Sequence, residues 1–121
     1  MPIILNVDHE GHYVNSVAVG SISYADVENH LLTERYFDGL SFKEFIDASG
    51  AGISFTPGES REIVELLRRL GRESKLGPTA VVVSNDVAFG VMRMLEVLVE
   101  GVCEVKPFRE EQEARAWLAV Q

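Results

Sequence analysis

The spacing of apolar and polar residues switches repeatedly between strand-like and helix-like periods along this chain. Ile3 to Val7 is a short apolar run that reads as a strand, and Asp8-His9-Glu10-Gly11-His12 reads as a turn. Tyr13 to Gly20 then alternates, with Tyr13, Val17 and Val19 offset from Asn15 and Ser16. This predicts a second strand folded back on the first as a hairpin. Ser23-Tyr24-Ala25-Asp26 has the form of a capping box with aspartate in the glutamate place. It opens a helix through about Thr33, with Val27 and Leu31 turned inward. Phe42 to Asp47 reads as a third strand running into a small-residue loop, Ala48 to Gly52.

Thr56-Pro57-Gly58-Glu59 is the plainest helix start in the chain: a hydroxyl N-cap, proline at the first helical position and glutamate three residues on. The helix buries Ile63, Leu66, Leu67 and Leu70, and Gly71 is its expected stop. Ala80 to Val83 is continuous and rich in valine, the pattern of a central strand covered on both faces. Ser84-Asn85-Asp86 caps a helix whose inward stripe is Ala88, Val91, Met92, Leu95 and Leu98, with Gly101 ending it. Val102 to Val105 reads as the last strand. Pro107-Phe108 then leads into a final helix carrying Ala114, Trp117 and Leu118. The order β-β-α-β-α-β-α-β-α calls for an α/β fold: a mixed, mostly parallel sheet of four or five strands with flanking helices.

Composition narrows the function classes. The 121 residues suit one domain spanning 1–121, with 46% apolar and 25% charged residues. A chain of this size buries roughly two-thirds of its unfolded surface, enough for a core without metal or disulfide support. Cys103 is the sole cysteine, so a reducing, cytoplasmic setting is expected. The opening residues carry no basic region ahead of a long apolar run, which argues against a signal peptide. The formal net charge of −8 repels nucleic acid. The basic residues Arg61, Arg68, Arg69, Arg72 and Lys75 alternate with Glu62, Glu65 and Glu73, which marks a solvated helix face.

Chemistry-bearing residues gather where strands end. In parallel α/β sheets ligands collect outside the carboxyl ends of the strands. By that rule Asp47, Ser49, Gly50, Gly52 and Ser54 should lie near Ser84, Asn85 and Asp86 and form a polar cleft suited to an anionic group. The same serines and glycines also suffice as caps and turns. Thr56 is a candidate phosphate acceptor at a helix N-terminus, although its capping box already explains it. His9 and His12 flank a turn and lack the three or four rigidly held ligands of a metal site, so no metal or cofactor is expected. His30 alone says little. A hydrolase drawn from Ser49, His30 and Asp86 has no Gly-x-Ser-x-Gly elbow behind it. Arg93, one helical turn from Phe89, would hold an acidic ligand or pair with Glu96 or Glu100. Phe37, Phe42, Phe55 and Phe89 would line an apolar pocket or simply fill the core. A receiver-like arrangement of Asp8, Asp47, Ser84 and Lys106 fails because Tyr13 to Gly20 alternates like a strand where a receiver has its first helix.

Several segments in this order resemble one family. They are Val19-Gly20-Ser21-Ile22-Ser23, Ile46-Asp47 before small residues, Leu76 to Val82, Phe89-Gly90-Val91-Met92-Arg93-Met94, Val105 to Phe108, and Ala114 with Trp117-Leu118. Together they are similar to the stand-alone STAS-like (SpoIIAA-like) proteins related to sporulation anti-sigma-factor antagonists. The resemblance implies a STAS fold and no chemistry of its own. It also implies a regulatory or binding role: engaging a protein partner, or a small apolar or amphipathic ligand at a membrane. Separately, small domains with hairpin edges often pair through them, so a homodimer is a further expectation. In the phosphoswitch members a serine pair begins the helix after strand three. Here that stretch is Ser54-Phe55-Thr56-Pro57-Gly58, which leaves Thr56 and Ser54 as the only hydroxyls for such a switch.

Overall fold

A computed structural model describes residues 2–121. Alternation along Ile3–Asp8 (β1) and Tyr13–Ile22 (β2) makes an antiparallel hairpin, with Ile3 opposite Ala18 and Asp8 opposite Tyr13. Three parallel strands follow: Lys43–Ile53 (β3), Thr79–Val83 (β4) and Val105–Phe108 (β5). Each strand pairs with its neighbour in sequence, so the sheet order is β1-β2-β3-β4-β5. Four helices alternate with the strands: Tyr24–Tyr36 (α1), Pro57–Glu73 (α2), Asp86–Leu98 (α3) and Glu111–Ala119 (α4).

The helices divide unequally between the two faces. On one face α4 lays Ala114 and Leu118 against Phe45, Ala80 and Val82, with Tyr13, Phe108 and Trp117 around them. On the other, α1 and α3 cover Ala18, Ala48, Val81 and Val83, and α2 packs Ile63, Val64 and Leu67 against Leu95 and Val99. Ala80 to Val83 is buried on both faces, as its unbroken apolar run requires.

Both capping boxes form as read. Ser23 and Asp26 exchange hydrogen bonds at the start of α1, and Thr56 and Glu59 do so at the start of α2. α1 ends in a Schellman arrangement with Asp38 at φ 59°: the Gly39 N–H donates to the Glu34 carbonyl (2.8 Å) and the Asp38 N–H to the Arg35 carbonyl (3.1 Å). That cap fixes the last turn of α1, which carries Glu34. Gly77 lies where β4 enters beside β3, and a Cβ there would sit 2.0 Å from the Phe42 carbonyl oxygen, so only glycine fits.

Several boundaries differ from the sequence reading. Ala48 to Gly52 is strand, not loop, because Gly50, Ala51, Gly52 and Ile53 pair with Val19, Gly20, Ser21 and Ile22 of β2 beyond an irregularity at Val17/Val19. α2 passes through Gly71, which packs against Leu76 and Val102, and stops at Glu73. The last strand is Val105–Phe108 rather than Val102 to Val105. Pro107 is tolerated there because β5 is an edge. In α3 the inward position near the C-terminus is Val99, fully buried, whereas Leu98 is 39% exposed.

Candidate functional site

α1 turns Val27, His30, Leu31 and Glu34 toward the sheet, at spacings of three, one and three residues. Two of the four are ionisable, and they are the buried residues of the helix. β3 answers with Glu44, whose face it shares with Ile46 and Ala48, and β2 with Ser16. All four polar side chains are buried to 5% exposure or less.

They meet on one carboxylate. Glu44 Oε2 accepts from the Ser16 hydroxyl at 2.7 Å and from His30 Nε2 at 2.8 Å. Glu34 Oε1 lies 3.0 Å from the same ring nitrogen but makes no hydrogen bond with it. Burial by itself would discharge His30. The Glu44 carboxylate that accepts from Nε2, with the Glu34 carboxyl close by, more than offsets this and raises its pKa to about 10. Burial, reinforced by the Glu44 charge, raises Glu34 to about 8, so it is a neutral acid at pH 7. Glu44 resists its own burial through His30 and stays below the usual glutamate value. The group is therefore an imidazolium, a carboxylate and a carboxylic acid, with no net charge. Two atoms have no partner: His30 Nδ1 and Glu34 Oε1.

His30, Glu34 and Glu44 also line a cavity of about 150 Å³ between the sheet and α1–α3. Its remaining wall is mostly apolar, including Ile3, Ile22, Val83, Met92 and Leu95, with Thr79 and Cys103 also on it. The room comes from small side chains on the sheet and α3, chiefly Ala18, Ala48, Ala51 and Ala88. Of the four aromatics singled out from sequence, Phe42 and Phe55 line this cavity. Phe37 is 47% exposed, and Phe89 packs its ring under the Arg109 guanidinium at 4.4 Å. The imidazole and two carboxylates are close enough to share a metal ion, with ligand atoms within 4.8 Å of one another. Their charges balance through the two bound protons without one.

The strand-end residues form a second, self-contained group. Asp47 Oδ1 accepts from the Ser49 hydroxyl (2.7 Å) and backbone N–H (3.1 Å). The Ser84 hydroxyl donates to the Ser49 carbonyl (2.6 Å), and the Asn85 amide to the Ala51 carbonyl (3.3 Å). Asn85 Oδ1 caps α3 through Ala88 N–H, and Asp86 pairs with Arg109 at 2.7 Å. Asp47, Ser49, Ser84 and Asn85 thus come together as the sequence predicts, and they hold one another. Gly50 and Gly52 lie in β3, not in a loop. Ser54 donates to the Ile22 carbonyl, Thr56 caps α2, and Arg93 pairs with Glu96. A Ser49/His30/Asp86 triad does not form: Ser49 bonds Asp47, His30 bonds Glu44 and Asp86 pairs with Arg109. The receiver alternative fails on β2, which is a strand throughout.

Sequence reasoning missed Glu34, Glu44 and Ser16, and passed over His30. A signal was present in α1, where ionisable residues occupy inward positions beside Val27 and Leu31.

No family model matches the sequence, and no curated protein does. Among solved structures the chain is similar to an uncharacterized protein of the DUF3478 family from Shewanella loihica PV-4, described as having a SpoIIAA-like fold. The two are 20% identical, the match covers 96% of this chain and 93% of that one, and the TM-score is 0.62. The fold is SpoIIAA-like. This agrees with the STAS-type resemblance read from the sequence, and the five-stranded mixed sheet lies within the four or five strands expected. No helix among the described residues is long and apolar enough to cross a membrane.

Proposed function

We propose that this SpoIIAA-like chain is a non-catalytic binding module whose ligand is a small apolar or amphipathic molecule held between the sheet and α1–α3. The observation that carries this reading is the cavity. Protein interiors are close-packed, and 150 Å³ of unfilled core costs roughly 3–4 kcal/mol. A ligand of matching size recovers that cost as binding energy. The strand-end polar residues outside the cavity are already engaged with one another and with backbone. Among the described residues, the unpartnered buried polar atoms belong to His30 and Glu34, two residues that line the cavity.

Native mass spectrometry of the purified protein, with organic extraction, should release a bound small molecule. Adding that molecule to stripped protein at a hundredfold excess over Kd should stabilise it by about 2.7 kcal/mol. A protein that is uniformly empty, and whose melting temperature no apolar compound of this size raises, would sink the proposal. The same preparations, floated with phospholipid vesicles, test for membrane association, which the STAS resemblance implies.

A further inference from the structure

His30 and Glu34 are one turn apart on α1, so the helix presents both side chains on the same face. Glu44 meets them from β3, and the cap built on Asp38 and Gly39 fixes the turn that carries Glu34. Three ligand atoms converge there. His30 Nε2 is 2.8 Å from Glu44 Oε2 and 3.0 Å from Glu34 Oε1, and all three lie within 4.8 Å of one another. Each residue is buried to 5% exposure or less. The hydrogen on Nε2 is directional and serves Glu44, which leaves Glu34 Oε1 beside the same nitrogen with no partner. A buried oxygen in that position is rare and destabilising. A metal ion among the three atoms bonds them all.

We propose that His30 Nε2, Glu34 Oε1 and Glu44 Oε2 form a binding site for one divalent transition ion of the zinc type. Ligands held about 2.0–2.2 Å from zinc stand roughly 3–3.5 Å from one another. The separations of 2.8 and 3.0 Å need only a small widening to admit the ion. A divalent ion with two carboxylates and a neutral imidazole carries no net charge, so it leaves this apolar interior neutral. The Ser16 hydroxyl, donating to Glu44 Oε2 at 2.7 Å, orients that carboxylate, as outer contacts of metal ligands do. Cys103 lines the neighbouring cavity but stands outside the group, so the donors are imidazole and carboxylate alone. The imidazole favours zinc over magnesium. Such an ion ties α1 to β3 and needs no ligand in the cavity beside it.

The test uses tag-free, full-length protein stripped with a chelator, with zinc affinity measured by competition against a chromophoric indicator. One ion per chain is expected. Glu34→Gln keeps the size of the side chain but removes an anionic ligand, and should weaken binding at least tenfold. In protein labelled with ¹⁵N-histidine, zinc should move the His30 Nε2 resonance and leave those of His9 and His12 in place. This second reading decides the matter in the wild-type protein if the variant fails to fold. Because the ligands are closed to solvent, zinc is supplied both to the folded protein and during refolding. A folded chain that retains none by either route would overturn the site. So would zinc that shifts His9 or His12 with His30 unmoved, which marks adventitious surface binding. Unchanged affinity in a folded Glu34→Gln variant would remove Glu34 from the site and overturn it as drawn. Magnesium bound as tightly as zinc would overturn the choice of ion. None of these readings depends on whether the cavity is filled, so failure here leaves the ligand reading standing.

Discussion

The two faces of the sheet solve the same packing problem in opposite ways. Against α4, Phe45, Ala80 and Val82 meet Ala114 and Leu118 directly, and the rings of Phe108 and Trp117 lie 5.9 Å apart. Arg115 seals the edge, its guanidinium 3.9 Å from the centre of the Phe45 ring and hydrogen-bonded to the Tyr13 hydroxyl. Against α1–α3, alanines stand where larger residues would fit, and ionisable groups occupy positions that aliphatic residues would fill more cheaply in desolvation terms. One face is arranged for stability. The other gives some of it up, and such departures from tight packing mark the places where a fold serves something else.

The largest effect should come from breaking the ionic group. Glu44→Leu removes the carboxylate that holds the buried His30 charge and leaves only the desolvated Glu34 carboxyl beside it, and chemical denaturation should show a loss of about 3–5 kcal/mol. Replacing His30, Glu34 and Glu44 together with leucine should restore stability to the wild-type level or above, because no charge then remains to be solvated. A triple variant no better than the single one would show that the group is a stabilising element, and would erase the contrast between the faces.

On the tight face Leu118→Ala should cost about 2–5 kcal/mol. The buried group should next reveal itself through pH. His30 and Glu34 both have raised pKa values, so their contribution is complete below their unfolded values of 6.5 and 4.5. It is lost as pH climbs through about 8 and then about 10. Glu44 is lowered, so its contribution fades instead as pH falls below 4.5. Stability should therefore fall by about 2 kcal/mol or more between pH 6.5 and 10, and the triple leucine variant should lose that dependence.

The smallest test is a matched pair. Ala80→Val on the α4 face should destabilise by about 1–3 kcal/mol through overpacking. Ala48→Val, one strand over and facing the cavity, should be neutral or mildly stabilising, because the space for the added methyl groups already exists. Equal costs at the two positions would mean that the cavity closes in solution.

Much of the fold was legible because local chemistry decides it. The Thr56-Pro57-Gly58-Glu59 box and the Ala80–Val83 run each specify their element without outside help. The misread segments depend on distant partners. Ala48 to Gly52 has poor intrinsic strand preference and is extended because β2 pairs with it. Pro107 reads as a stop, and only the edge position of β5 permits it in a strand. The strand-end serines were legible by topology, since a parallel sheet must bring the ends of β3 and β4 together. The His30–Glu44 group was not. Its members come from three elements, and a glutamate in a sequence is assigned to the surface unless its partner is known.

The sequential order of the strands has a consequence for synthesis on the ribosome. Ser16, His30, Glu34 and Glu44 all lie in the first half of the chain, on β2, α1 and β3. Those three elements adjoin one another in sequence, so the Ser16–His30–Glu44 contacts need no loop closure longer than the α1 crossover. The helices that roof the cavity, α2 and α3, emerge later. A nascent chain thus holds its charges in water while the sheet is two or three strands wide, and desolvates them only when the second half arrives. Burial of the charged group is then a late event of folding, and stalled chains ending near Glu73 should expose it.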